Sequence, residues 1–93
     1  KYPAITRDYS FVTDRNVEAK FIEDIIRSNG EDLVKEIELF DVYTGDQIAD
    51  DKKSISYNVS FRSDDRTLKE EDIRAIEENI LNQLKEHNII LRG

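Results

Sequence analysis

The chain has no cysteine, no methionine and no tryptophan, one proline and three glycines. Without cysteine there is no disulfide framework and no thiolate metal site, which is compatible with a cytoplasmic setting. Three scattered glycines leave no glycine-rich loop to cradle a phosphate. No apolar run approaches the roughly 20 residues that a membrane-spanning helix requires, and no signal peptide opens the sequence. Basic residues are the minority, 14 Lys and Arg against 21 Asp and Glu, for a formal net charge of −7. That balance argues against free-standing nucleic-acid binding through a basic footprint. Any such role needs local geometry, or positive surface supplied from elsewhere. A translated chain starts with methionine, whereas this one starts with Lys1. The expectation is a piece cut from a longer protein, or a processed product, with a share of a larger machine's function.

What is present is enough for one folded domain. Ninety-three residues, 38% apolar and 38% charged, describe a globular chain with a modest single core. The most informative stretch is Lys53 to Arg62, where Ile55, Tyr57, Val59 and Phe61 alternate with Ser54, Ser56, Asn58, Ser60 and Arg62. Period-2 alternation over this length predicts a strand with one face on a core and the other in water.

Around it the other elements fall into place. Arg7 to Thr13 predicts a first strand, with Tyr9 and Phe11 on one side and Asp8, Ser10 and Val12 on the other. Asp14 or Asn16 can cap a helix running to about Ser28, its apolar stripe made by Val17, Phe21, Ile22, Ile25 and Ile26. Leu33 to Tyr43 predicts a second strand whose alternation breaks. A bulge near Leu39-Phe40 reconciles it and leaves Asp41 and Tyr43 on the wet side. Thr67 to Glu70 reads as a capping box opening a second helix with Ile73, Ile76, Ile80, Leu81 and Leu84 at helical spacing. Asn88 to Arg92 predicts a short last strand, with Ile89 and Leu91 inward and Ile90 and Arg92 outward.

The order β-α-β-β-α-β is that of a ferredoxin-like α+β two-layer sandwich. It predicts a four-stranded antiparallel sheet with both helices on one face, the first and third strands central. One domain is expected over residues 1–93.

Catalytic chemistry is poorly supplied. His87, the only histidine, sits where a helix meets a strand and reads as a helix C-terminal or surface residue. Asp50-Asp51, Asp64-Asp65 and Glu70-Glu71-Asp72 read as solvated loops and helix N-terminal charge rather than metal ligands. No catalytic residue, metal ligand or cofactor is assigned to the domain.

The open sheet face is the better candidate. Its outward residues include Ser10, Asp41, Tyr43, Ser54, Ser56, Asn58 and Arg92. An unpaired RNA base is recognised by stacking on an aromatic ring and by hydrogen bonds to its edge. A carboxylate can accept from the N1 and N2 groups of guanine, and an arginine can pair phosphate or stack. From spacing alone, Tyr43 reads more readily as a strand aromatic shielding an edge, and Arg92 as a terminal charge. The usual RNA-recognition sheet carries its stacking aromatics on the two central strands, whereas Tyr57 and Phe61 here take core parity. A ferredoxin-like regulatory domain, binding a small molecule or pairing through its sheet, is the alternative of another class. An acylphosphatase-like enzyme shares the fold but needs a phosphate-cradling loop with arginine that is absent.

Five motifs in series sharpen this reading. They are Tyr2-Pro3-Ala4 leading to Arg7-Asp8, Glu38 to Gly45, Lys52-Lys53-Ser54-Ile55-Ser56-Tyr57, Arg66-Thr67-Leu68, and the closing Leu91-Arg92-Gly93. In that order the chain resembles the C-terminal ferredoxin-fold anticodon-binding domain of the bacterial phenylalanyl-tRNA synthetase beta subunit, over essentially all 93 residues. The resemblance implies a module that grips the anticodon of tRNA(Phe). It implies a parent enzyme that is an α2β2 heterotetramer with a synthetase alpha subunit and uses ATP and Mg2+. By the same resemblance Tyr43 would stack on the first anticodon base, a guanine, and Asp41 would read its edge. Ser54 and Arg92 match the serine and arginine of their motifs, and Ser10 would approach from the first strand. With a charge of −7, weak affinity in isolation is expected, the parent supplying positive surface and effective concentration.

Overall fold

A computed structural model describes residues 2–92. Lys1 and Gly93, the latter closing the Leu-Arg-Gly motif, lie outside the described residues. The elements are β1 (Ile5–Asp14), α1 (Ala19–Ser28), β2 (Val34–Tyr43), β3 (Lys52–Phe61), α2 (Glu70–Glu86) and β4 (Ile90–Leu91). The strands form one antiparallel sheet in the order β2-β3-β1-β4, so β1 and β3 are central, as the β-α-β-β-α-β pattern predicts.

The alternation in β3 decides where the core sits. Ile55, Tyr57, Val59 and Phe61 are all at most 1% exposed, and they join Phe11 of β1 with Ile22, Ile26, Ile73, Ile76, Ile80 and Leu84 from the helices. Each such aliphatic side chain contributes roughly 1.5–3 kcal/mol by leaving water. Because both helices pack on this parity, the opposite parity of the sheet carries no helix. The buried Tyr57 keeps its hydroxyl bonded, donating to the Ala19 carbonyl at 3.0 Å, and burial pushes its pKa upward.

Helix boundaries differ from the expected ones for identifiable reasons. Neither Asp14 nor Asn16 caps α1, which begins at Ala19 behind Glu18 without a side-chain cap. The Asp14 carboxylate is engaged instead by Lys52 at 2.6 Å. Thr67 does not cap α2 either. Lys69 holds the N-cap position, and its backbone N–H donates to Asp72 Oδ2 at 2.8 Å. Leu68 and Ile73 flank that cap and both enter the core, the arrangement of a hydrophobic staple. Phe21, expected in the apolar stripe, is 43% exposed and meets His87 edge-on instead.

At the other end of α2, Asn88 adopts a left-handed φ of 64°, a conformation Asn tolerates better than most residues. It belongs to the helix terminator, not to the last strand. The strand is therefore only Ile90–Leu91. Ile89 is buried as expected, but Leu91 is 45% exposed even though it pairs with Phe11 on the core side. As part of a two-residue edge strand it has one flank in solvent.

The break in β2 is a bulge between Leu39 and Asp41, and a second register shift lies between Val34 and Glu36. The first puts Asp41 opposite Ser56 and Tyr43 opposite Ser54. The second lets the neighbours Leu33 and Val34 both pack against the core.

Candidate functional site

The register assembles the helix-free face row by row. Asp41, Ser56 and Ser10 stand side by side across three strands. Arg92 completes the row from just beyond β4, its backbone N–H donating to the Ser10 carbonyl at 2.8 Å. The next row is Tyr43, Ser54, Val12 and Ile90. All five residues singled out from the sequence (Ser10, Asp41, Tyr43, Ser54 and Arg92) therefore occupy two adjacent rows of one surface.

Their environments are not equal. Asp41 is exposed and Tyr43 half-buried. Ser54 and Ser56, expected on a wet face, are only 1% and 4% exposed. Parity placed them correctly, but short side chains on a central strand are shaded by longer neighbours on both sides. The hydroxyls of Ser10 and Ser56 bond to each other at 2.6 Å. Arg92 reaches across the sheet so that its Nη1 donates to Ser54 Oγ at 3.4 Å. The centre of its guanidinium lies over the Tyr43 ring, 5.5 Å from the ring centroid, within the roughly 6 Å of a cation–π contact. Arg92 thus lies against the aromatic surface.

One residue of this cluster was not anticipated. Gln47, in the β2–β3 loop, accepts through Oε1 from Arg92 Nη2 at 2.9 Å. No periodicity marks it, because its place depends on a loop conformation. The loop is built on two turns, with Ile48 N–H bonded to Gly45 O at 3.0 Å and Lys52 N–H to Ala49 O at 2.9 Å. The buried Ile48 anchors it. Gly45 supports the ring itself: a Cβ there would lie 2.8 Å from Tyr43 Cζ, so only a residue without a side chain lets the phenol fold back over the turn.

Charge divides the face. Asp8, Glu36 and Glu38 gather toward one end, where Asn58 donates to Asp8 at 2.8 Å, while Asp41 shares its row with Arg92. Lys52 marks the other end opposite Asp14, whose hydrogen bond raises the Lys52 pKa. The surface offers a flat polar floor, one aromatic ring, one exposed carboxylate and one guanidinium, which together suit a planar heterocycle with hydrogen-bonding edges. Among the described residues, no group of three or more His, Cys, Asp or Glu is placed to hold a metal ion. Nor is any helix among them long and apolar enough to cross a membrane.

Comparison with known proteins places the chain as a whole. The model of the ferredoxin-fold anticodon binding domain matches residues 1–92. The phenylalanine–tRNA ligase beta subunit of Geobacillus kaustophilus is 38% identical over 94 residues, covering all of this chain and 12% of the relative. That of Dehalococcoides mccartyi is 42% identical, again over the whole chain and 11% of the relative. The Bacillus subtilis subunit is 35% identical, with 12% of its length covered. The chain thus spans about one-eighth or less of the length of these relatives.

Proposed function

The chain belongs to the ferredoxin-fold anticodon-binding domain family, as its motif series predicts, and on that premise we propose that it binds the anticodon of tRNA(Phe) as one domain of a phenylalanine–tRNA ligase beta subunit. The observation that carries this reading is the convergence of Tyr43, Asp41 and Arg92 on two neighbouring rows of the helix-free face. In the proposed complex the first anticodon base stacks on Tyr43. The Asp41 carboxylate, one row away, accepts from the N1 and N2 groups of a guanine. Arg92 pairs the sugar–phosphate backbone or borders the stacked base. Ser54 acts from beneath Arg92, and Ser10 shapes the floor together with Ser56.

The domain itself positions RNA and carries no reaction step. In this reading it is a piece of a longer cytoplasmic beta subunit that pairs with an alpha subunit in an α2β2 enzyme. The ATP and Mg2+ needed to join phenylalanine to its tRNA are handled elsewhere in that enzyme. The net charge of −7 means that affinity comes from stacking and edge recognition, not from a basic footprint. The larger assembly supplies the missing positive surface.

An NMR titration with a tRNA(Phe) anticodon stem–loop at low salt tests this. The control is a loop carrying a different first anticodon base. Shifts gathered at Ser10, Asp41, Tyr43, Ser54 and Arg92, and lost with the control, are expected. Tyr43→Ala should weaken stem–loop binding by ~1–3 kcal/mol, the usual worth of one base–aromatic stack, while the rest of the spectrum keeps its dispersion. Shifts scattered over the helices, or insensitive to the base, overturn the proposal.

A further inference from the structure

Arg92 poses a problem that the rest of the face does not. It lies just beyond a two-residue edge strand and has a long side chain with several free torsions. A guanidinium on such a stem loses much of its rotamer freedom when a ligand fixes it. Yet the structure shows it already directed inward across the sheet, toward Ser54 and over the Tyr43 ring. Two side chains hydrogen-bond it there. The Ser54 bond is long, at 3.4 Å, and cannot define the direction of the guanidinium alone. The Gln47 bond, at 2.9 Å, is the well-formed one.

Gln47 is suited to the task because its loop is not loose. The residue after it, Ile48, is 8% exposed and ties the loop to the body of the domain, and the Gly45–Ile48 turn closes around it. Gln47 is also uncharged. It orients the guanidinium while leaving the positive charge unneutralised, whereas a carboxylate at the same place would compete with phosphate for it.

We propose that Gln47 is a positioning residue for RNA binding, holding Arg92 across the sheet against the Tyr43 ring before the ligand arrives. This rests on the reading of the face as an anticodon site and extends it to a loop residue outside the strands. Gln47 acts through Arg92, by sparing the ligand the cost of ordering that side chain.

The test is a double-mutant cycle with Gln47→Ala, Arg92→Ala and the double variant, measuring affinity for the anticodon stem–loop at low salt. It is paired with 15N relaxation of the Arg92 Nε–H group in the RNA-free protein. Gln47→Ala is expected to weaken binding about three- to tenfold, lower the order of the Arg92 Nε–H vector and leave the melting temperature in place. In the Arg92→Ala background the same substitution should have no further effect on affinity. Wild-type affinity in Gln47→Ala, or an equal loss with Arg92 absent, overturns the proposal. So does an unchanged Arg92 order, whatever the RNA does. A wild-type domain that binds no stem–loop overturns the anticodon reading itself, a failure distinguished by its appearing before any substitution is made.

Discussion

Gly45→Ala separates ring placement from folding. A methyl group at Gly45 would sit 2.8 Å from Tyr43 Cζ and closer still to the hydroxyl, whereas ordinary contact begins at 3.4 Å. The phenol must therefore retreat by more than half an ångström. Because the clash is with the far end of a side chain, a small torsion relieves it, well short of the ~30° that costs about 0.5–1.5 kcal/mol. The substitution also removes backbone freedom from the unfolded chain, which is worth about 0.4–1 kcal/mol in the opposite direction. Net stability should change by less than about 1 kcal/mol, within the roughly 4–8 °C of melting temperature which that represents for a domain this size. Binding is expected to respond more, since a displaced ring forfeits part of a stack worth ~1–3 kcal/mol. A loss near 1 kcal/mol, about fivefold in affinity, is the expected outcome by fluorescence titration with the stem–loop, read beside a thermal melt. Affinity within twofold of wild type, in a protein where Tyr43→Ala does weaken binding, would refute the argument that Gly45 sets the ring. A collapse in melting temperature would refute it differently, by showing that the glycine serves the backbone.

Other consequences concern stability. Leu84→Ala empties a fully buried site in the middle of the core and is expected to cost ~2–5 kcal/mol in urea unfolding, without shifting the relative affinity for different stem–loops. Acid should destabilise the fold through Asp64, Glu70 and Asp72. Their pKa values are lowered, respectively, by hydrogen bonds from Lys35, from Arg7 and from the Lys69 backbone N–H. A carboxylate whose folded pKa is depressed contributes stability above its unfolded pKa, here 4.5 for Glu and 3.8 for Asp, and loses it as pH falls through the folded value. The melting temperature should be flat above about pH 5 and fall below about pH 4. The fall should be shallower in Glu70→Gln, and shallower in high salt because these pairs are exposed.

Much of the fold was legible because it rests on local rules. Alternation in β3 told core from open face residue by residue, and the broken alternation of β2 located its bulge from residue order alone. The candidate site was legible to the same extent, since Ser10, Asp41, Tyr43 and Ser54 are strand residues whose parity fixes their side. What escaped was set by partners distant in sequence. Asp14 is a good cap by composition, but Lys52 of β3 claims its carboxylate. Ser54 has the parity of an exposed residue, yet an arginine 38 positions away covers it. Gln47 carries no signal at all, because its importance comes from how a loop folds over a strand end. Leu91 kept the parity expected of it but lacked a neighbour on its outer side to complete its burial.

The extra residue at Leu39–Phe40 also works as a phase shifter. Upstream of it, strand β2 writes its packing code in one reading frame, with Ile37 and Leu39 facing the helices; downstream, Asp41 and Tyr43 are read in the other. Deleting a single residue there would leave the composition almost untouched while exchanging inside for outside at the Asp41–Tyr43 end. Substitutions in the two halves can therefore accumulate independently, but the number of residues between Ile37 and Asp41 cannot drift. In a comparison of related chains, length at this point should be constrained more tightly than identity.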